Sequence, residues 1–119
     1  MSILPRMEIE KAKAFNMVDL QNYRPNSIEH RSILRKNTGH IKAISFDSGQ
    51  LLTGTISPFD NFIQVIEGKA KITINNKIGV LETGQIIIIP AHSSYSIEAT
   101  VPLKVMSTIV KSGYEEVSL

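Results

Sequence analysis

The sequence has no cysteine, which by itself removes several kinds of site from consideration. Without thiols there are no disulfides, no thiolate metal ligands and no cysteine nucleophiles. Long apolar runs are also missing, since the longest, Ile86–Ile89, is far too short to span a bilayer. Residues 1–15 have no unbroken apolar stretch of the kind that secretory signals contain. We therefore expect a soluble cytoplasmic protein with no membrane partner.

Charge of one sign is scarce as well. Thirteen Lys and Arg face eleven Asp and Glu, which gives a formal net charge of +2 among 119 residues. A nucleic-acid-binding protein needs its positive charges gathered on one face. The densest groups are Arg31, Arg35 and Lys36, and then Lys69 and Lys71, and no aromatic residues are interleaved with either group. We interpret both groups as solvated strand faces and expect no nucleic-acid partner.

The chain length is typical of one compact domain. Residues 1–26 differ from the rest because they hold three of the four Met and show no alternating pattern. We predict an N-terminal extension over 1–26, with a short helix over Glu8–Phe15 that Pro25 prevents from continuing. One β-domain over 27–112 and a C-terminal tail over 113–119 complete the predicted organisation.

From residue 27 onward, short segments rich in β-branched residues are separated by turn signals about every 8–12 residues, which is typical of an all-β sandwich or barrel. Asn75-Asn76 can adopt positive φ and predicts a tight hairpin. Ile86–Ile89 is apolar on both faces, so we expect a central strand that the opposite sheet or a second subunit covers. The predicted strands span 27–36, 40–47, 51–56, 62–67, 69–75, 77–82, 85–89, 94–100 and 103–110.

Two segments carry a more specific signal. The first fits the end glycines of the pattern G-x5-H-x-H-x3/4-E-x6-G, with Gly49 and Gly68 at the right separation. The second fits the start of G-x5-P-x-G-x2-H-x3-N, with Gly84 and Pro90 in place. These are the two motifs of the cupins, and the region from Ser27 to Lys111 resembles their small single-domain bacterial members. The resemblance implies a cupin-type double-stranded β-helix, which is a jelly-roll barrel, preceded here by a short, partly helical N-terminal extension.

The metal-binding positions of those motifs hold other residues in this chain. Thr55 and Ser57 stand at the two histidine positions of the first motif, and Asn61 stands at the glutamate position. In the second motif, Tyr95 stands at the histidine position. First-row divalent ions need imidazole or carboxylate ligands, and these four side chains are neutral. We therefore predict a degenerate site with no metal and no other cofactor.

Strand alternation predicts that the same four polar side chains point into the barrel, together with three apolar neighbours. The loop after Pro90 borders the pocket in the family that the chain resembles, which brings in His92. An apolar cavity with a few convergent polar groups is the usual way to hold a small polar ligand. The predicted pocket consists of Thr55, Ser57, Asn61, Ile63, Val65, His92, Tyr95 and Ile97.

Three functions fit this sequence. The first is a metal-free small-molecule-binding or regulatory barrel. The second is a metal-independent acid-base enzyme of the sugar epimerase or isomerase type, with Tyr95 and His92 as acid and base and Asp60 orienting the histidine. The third is a structural or interaction domain whose interior is filled. We interpret His30 and His40 as surface or locally hydrogen-bonded residues, and we expect a homodimer.

Overall fold

The computed structural model describes residues 8–54 and 56–111, and the strands occupy most of this part of the chain. Thr55 and the predicted tail over 113–119 lie outside the described residues. The strand bounds are β1 (Ile28–Lys36), β2 (Gly39–Phe46), β3 (Leu51–Gly54), β4 (Asn61–Glu67), β5 (Lys69–Ile74), β6 (Lys77–Glu82), β7 (Ile86–Ile89), β8 (Tyr95–Ala99) and β9 (Leu103–Val110). The prediction of an all-β fold is confirmed, and the predicted strand ends differ by only a few residues.

The turns have the residues that their backbone conformations require. Asn75 and Asn76 have φ of 48° and 73°, which is the left-handed pair that a two-residue hairpin turn needs. β5 and β6 pair on either side of this turn, from Ile74 opposite Lys77 to Lys69 opposite Glu82. The predicted tight hairpin is therefore present.

The strands form two sheets, and every described strand pairing is antiparallel. One sheet has five strands in the order β1-β2-β9-β4-β7, and the other has four in the order β3-β8-β5-β6. Apolar residues on the facing sides of the two sheets pack together, among them Phe46, Ile72 and Leu103 with at most 1% of their surface exposed. Such burial of large side chains supplies most of the stability of a sandwich of this kind.

The inward-facing residues change from polar to apolar along the strands, and the change falls at the same end of the barrel on each strand. Antiparallel neighbours run in opposite directions, so the change occurs near the start of some strands and near the end of others. From the polar end inward, the residues are Lys42, Ile44 and Phe46 on β2, Asn61, Ile63 and Val65 on β4, Tyr95, Ile97 and Ala99 on β8, and Ser107, Val105 and Leu103 on β9.

The expected helix over Glu8–Phe15 is wrong, because the described part of the N-terminal extension is helical only in a 3-10 turn at Met17–Asp19. Short isolated helices are marginal in water. The extension instead bonds to the five-stranded sheet, where Lys104 Nζ donates to the Val18 carbonyl at 2.6 Å and Ser45 Oγ donates to the Asn22 carbonyl at 2.8 Å. Among the described residues, no helix has the length and apolar character needed to cross a membrane.

The prediction that Ile86–Ile89 forms a central strand is also wrong. β7 lies at the edge of its sheet, and its Ile86 and Ile88 side chains are each 55% exposed. The sequence does not distinguish the two positions, because four consecutive isoleucines are compatible both with a central strand and with an edge strand whose outer face is exposed. The homodimer that would cover this face stays a prediction.

Gly68, at the junction of β4 and β5, provides a test of the backbone geometry. Its φ is +102°, and a Cβ there would overlap the Pro102 carbonyl oxygen. We expect Gly68→Ala to lower the free energy of unfolding by at least about 2 kcal/mol, because the strained φ and the overlap both count against it. Urea denaturation measures the change.

Two other glycines distinguish the effect of the positive φ from the effect of the overlap with Pro102. Gly49→Ala meets no atom within 4 Å but keeps a φ of +88°, so it tests the backbone strain alone. Gly79→Ala meets nothing within 4 Å and has no such φ. We expect Gly79→Ala to leave the free energy of unfolding nearly unchanged, and Gly49→Ala to lower it by an amount between those of Gly79→Ala and Gly68→Ala. Equal losses of unfolding free energy for Gly68→Ala and Gly79→Ala would contradict this explanation.

Candidate functional site

The polar end of the barrel contains a cavity of about 280 Å³ between the two sheets. Ile44, Ile63 and Ile97 belong both to the cavity wall and to the buried core, so they separate the cavity from the core. Side chains of β1, β2, β4, β8 and β9 line the space together with part of β3 and the loop that follows it. The lining residues are His30, Lys42, Ile44, Leu52, Thr53, Gly54, Ser57, Asn61, Ile63, Tyr95, Ile97, Ser107 and Ile109.

A buried hydrogen bond organises one wall. Ser107 Oγ donates to Asn61 Oδ1 at 2.8 Å, and the two residues are only 2% and 7% exposed. Buried polar groups need such partners, because an unpaired one costs about 1–3 kcal/mol. With its carbonyl oxygen engaged by Ser107 and one amide N–H directed to Tyr95, the Asn61 side chain has its second amide N–H left to donate toward the cavity.

Tyr95 lies beside this pair, opposite Gly54 on β3. A Cβ at Gly54 would overlap the Tyr95 ring, so the glycine leaves the space that the ring occupies. Burial raises the pKa of Tyr95, and a hydrogen bond from the Asn61 side chain opposes that rise. The hydroxyl therefore stays protonated at neutral pH and can both donate and accept a hydrogen bond.

Lys42 on β2 and His30 on β1 line the cavity from the same sheet as Ser107 and Asn61, and neither was among the predicted pocket residues. Lys42 stands opposite Ser32 on β1 and Ser107 on β9, and it is only partly exposed. Burial lowers the pKa of Lys42, and Arg35 lowers it further. Partial burial also lowers the pKa of His30, with a second contribution from Lys42. His30, whose pKa lies below its ordinary value, is therefore largely neutral at pH 7, and Lys42 has the ordinarily cationic side chain of the lining.

The alternation of β2 could have located Lys42, because it occupies the same face as Ile44 and Phe46. The predicted pocket residues instead followed the motif positions, which led to β3, β4 and β8. His30 is exposed, as expected of a surface residue, and it also lines the cavity. His40 stays local as expected, with its Nε2 2.7 Å from Ser32 Oγ.

The structure brings five of the eight predicted pocket residues to the cavity: Ser57, Asn61, Ile63, Tyr95 and Ile97. Thr55 lies outside the described residues. Val65 points to the same interior but lies deeper, in the packed core, because it comes one alternation step below Ile63.

His92 does not line the cavity and is exposed on the loop after β7. Its φ of +65° turns the chain there, and its backbone N–H donates to the Ser57 carbonyl at 2.7 Å. Asp60 is not an orienting group for it, since Asp60 Oδ1 accepts the Ala91 N–H at 2.8 Å. The expected pair of Tyr95 and His92 therefore does not share one cavity, and these two hydrogen bonds join the loop over 56–60 to the loop after Pro90.

The residues at the family's metal positions fit a metal poorly. Asn61 Oδ1 accepts from Ser107, and Ser57 Oγ accepts the Phe59 N–H at 3.1 Å, so both oxygens already have partners. Tyr95 has its pKa raised, which disfavours the phenolate that would bind a metal. Within 8–54 and 56–111, no three His, Asp or Glu side chains gather into a group that could hold an ion.

No sequence model of a known protein family matches the chain, and no curated protein matches it. Solved structures do. A conserved protein of unknown function from Streptococcus pyogenes is 25% identical with a TM-score of 0.83, and the match covers 94% of this chain and 96% of that one.

Two further structures extend the likeness. A cupin 2 conserved barrel domain protein from Leptotrichia buccalis is 24% identical with a TM-score of 0.84, over 96% of this chain and 57% of that one. A putative mannose-6-phosphate isomerase from Ralstonia eutropha is 19% identical with a TM-score of 0.73, over 84% of this chain and 99% of that one. With the antiparallel double sheet and the motif glycines, these likenesses establish that the chain has the fold of the cupin superfamily.

Proposed function

We propose that this barrel is a metal-free module that binds a small polar molecule. The observation that carries the proposal is the cavity of about 280 Å³, whose apolar floor and convergent polar walls are typical of a small-molecule site. At roughly 30 Å³ per water molecule in the liquid, the space of about 280 Å³ holds about nine waters, so a ligand of about ten non-hydrogen atoms fits. The alternative of a filled barrel expects no such space.

The polar groups complement one another around this space. Asn61 on β4 and Tyr95 on β8 offer neutral donors and acceptors, and Lys42 on β2 offers a cation. Hydrogen bonds from a preformed wall give specificity at little cost in ordering, because Asn61 is already held by Ser107.

Blocking the cavity tests the proposal. We expect a thermal-shift screen of water-soluble metabolites of about 6–15 non-hydrogen atoms to yield at least one compound that raises the melting midpoint by several degrees, since a ligand at 100 times its Kd adds about 2.7 kcal/mol. Ile109→Trp places bulk at the partly buried mouth and should abolish that rise. The matched control is Ile78→Trp, because Ile78 is 64% exposed and does not line the cavity.

A ligand-induced shift that survives Ile109→Trp would place the binding site elsewhere. A screen without any shift, together with native mass spectra in which the purified protein carries no bound small molecule, would count against ligand binding altogether.

The lack of suitable metal-binding side chains among the described residues leads to a second prediction. Because the available oxygens are neutral and engaged, we expect elemental analysis of the purified protein to find no stoichiometric Ni, Fe, Mn or Zn. Dialysis against EDTA should leave the melting midpoint where it was. One equivalent of metal that survives gel filtration, and whose removal lowers the midpoint, would show that the proposal of a metal-free barrel is wrong.

One observation favours an acid-base enzyme as a second candidate. Tyr95 and His30 both line the cavity, so they replace the expected pair as an available acid and base. A protonated phenol can donate and a neutral imidazole can accept, as proton transfer beside a carbonyl group requires. The fold is shared with a structure named as a putative mannose-6-phosphate isomerase.

Deuterium incorporation separates binding from this chemistry. In D2O, an epimerase or isomerase exchanges a carbon-bound proton of its substrate, and NMR detects the loss of that signal. If the candidate is right, a compound found in the binding screen will exchange with the wild type, and Tyr95→Phe or His30→Gln will slow the exchange at least about 100-fold while binding persists. Binding with no exchange leaves the barrel as a binding module.

A further inference from the structure

Lys42 is the one lysine among the described residues that line the cavity, and its position follows from the sheet. It faces inward from β2 with the apolar Ile44 next on the same face, and its cross-strand neighbours are Ser32 and Ser107. Neither hydroxyl can neutralise an ammonium group. The Lys42 side chain is therefore held in the wall of the cavity and not among the exposed lysines of the outer faces.

The cavity offers no negative charge to balance it. Of the described residues that line the space, none is Asp or Glu. Within the described part of the chain, Lys42 also takes part in no ion pair, and the pairs that are present lie elsewhere. They are Lys13–Glu10, Arg24–Glu29, Lys69–Glu82 and Lys71–Glu98.

Further positive groups lie near this end of the barrel. Burial lowers the pKa of His40, and the charges of Arg35, Lys42 and Lys111 lower it further. Arg35 is the cross-strand partner of His40, and Lys111 directly follows β9. A cleft lined by charge of one sign attracts ligands of the opposite sign and speeds their association.

A partly buried ammonium group without a counter-ion costs free energy, and an anionic ligand would remove that cost by pairing with it. The polar groups nearest to Lys42 in the lining are neutral and suited to hydroxyl or carbonyl groups: Ser107 on the neighbouring strand β9, Asn61 on β4 beyond it, and Tyr95 on the other sheet. The cavity is thus asymmetric, with its cation on β2 and its neutral hydrogen-bonding groups on β9, β4 and β8.

We propose that the ligand of this cavity is a small organic anion, whose carboxylate or phosphate group pairs with Lys42 while its hydroxyl groups bond Asn61 and Tyr95. This assignment rests on the proposed function, and it adds the charge of the ligand and the residue that selects it. A lysine recognises either acid group as a point charge, so the experiment distinguishes the two.

Two matched sets of compounds test the assignment. The first set shares a three-carbon hydroxylated skeleton: glycerol is uncharged, D-glycerate has a carboxylate, and glycerol 3-phosphate has a phosphate. The second set has six carbons, with glucose uncharged, gluconate carrying a carboxylate and glucose 6-phosphate carrying a phosphate. Isothermal titration at low salt measures the binding of each compound to the wild type, Lys42→Met, Lys42→Arg and Lys77→Met. Lys77 is exposed and does not line the cavity, so its variant removes the same charge from the chain as a control.

We expect at least one acid to bind the wild type at least tenfold more tightly than the neutral member of its set. Lys42→Met should weaken that binding at least tenfold, Lys42→Arg should keep most of it, and Lys77→Met should leave it unchanged. Binding should weaken as salt is added. Without ligand, Lys42→Met should melt no lower than the wild type, because an apolar side chain replaces an unpaired charge in a partly buried position.

Each other outcome overturns the assignment, and the metabolite screen then decides on the proposed function separately. If the neutral compounds bind as well as the acids, or if acid binding survives Lys42→Met, the assignment of an anionic ligand is wrong. The proposal that the barrel binds a small molecule is then unaffected. If no acid binds but the screen finds a neutral ligand, the charge assignment alone is wrong. If neither experiment finds a ligand, both proposals are wrong.

Discussion

Close packing between the two sheets at one end of the barrel is the constraint on which the rest depends. Phe46, Leu103 and Val105 have at most 1% of their surface exposed, and packing at this density fixes the distance between the sheets. The same spacing continues to the other end, where polar side chains such as Lys42 and Tyr95 share the interior with a few apolar ones and do not fill the gap. Asn61 and Ser107 pair with each other, and the remaining space stays open as the cavity. The cavity is therefore a consequence of where each strand changes from apolar to polar residues.

Much of the fold could be predicted because its signals are local. Turn residues and alternation located the strands, and Asn75-Asn76 identified a hairpin whose φ values the structure confirms. The errors concern long-range placement. Ile86–Ile89 was assigned to the centre of a sheet, but which strand lies at an edge depends on pairing between distant segments. The segment Glu8–Phe15 could form a helix by composition, and yet its Glu8 carboxylate accepts the Arg35 N–H and its Ile9 N–H bonds the Ile33 carbonyl, so the sheet determines its conformation.

About half of the candidate site could be predicted, because only that half depends on local sequence signals. The two motifs cover residues 49–99, so they pointed to Asn61 and Tyr95. His30 and Lys42 belong to strands before the first motif, and they join the cavity only because β2 pairs with β9. His92 was counted in the pocket from its place in the loop, but a left-handed backbone turns it out to solvent. Neutral groups thus stand at the motif's metal positions, and the lysine on β2 supplies the positive charge of the lining.

The bonds between the two loops at the mouth have a kinetic consequence. The His92 N–H is bonded to the Ser57 carbonyl, and the Ala91 N–H is bonded to the Asp60 carboxylate, so neither loop can move outward alone. Widening the mouth on that side therefore requires the two loops to move together or both bonds to break. Residence time in the cavity would then be governed by that coupled opening, and a compound small enough to pass without it would enter and leave fast, whatever its affinity.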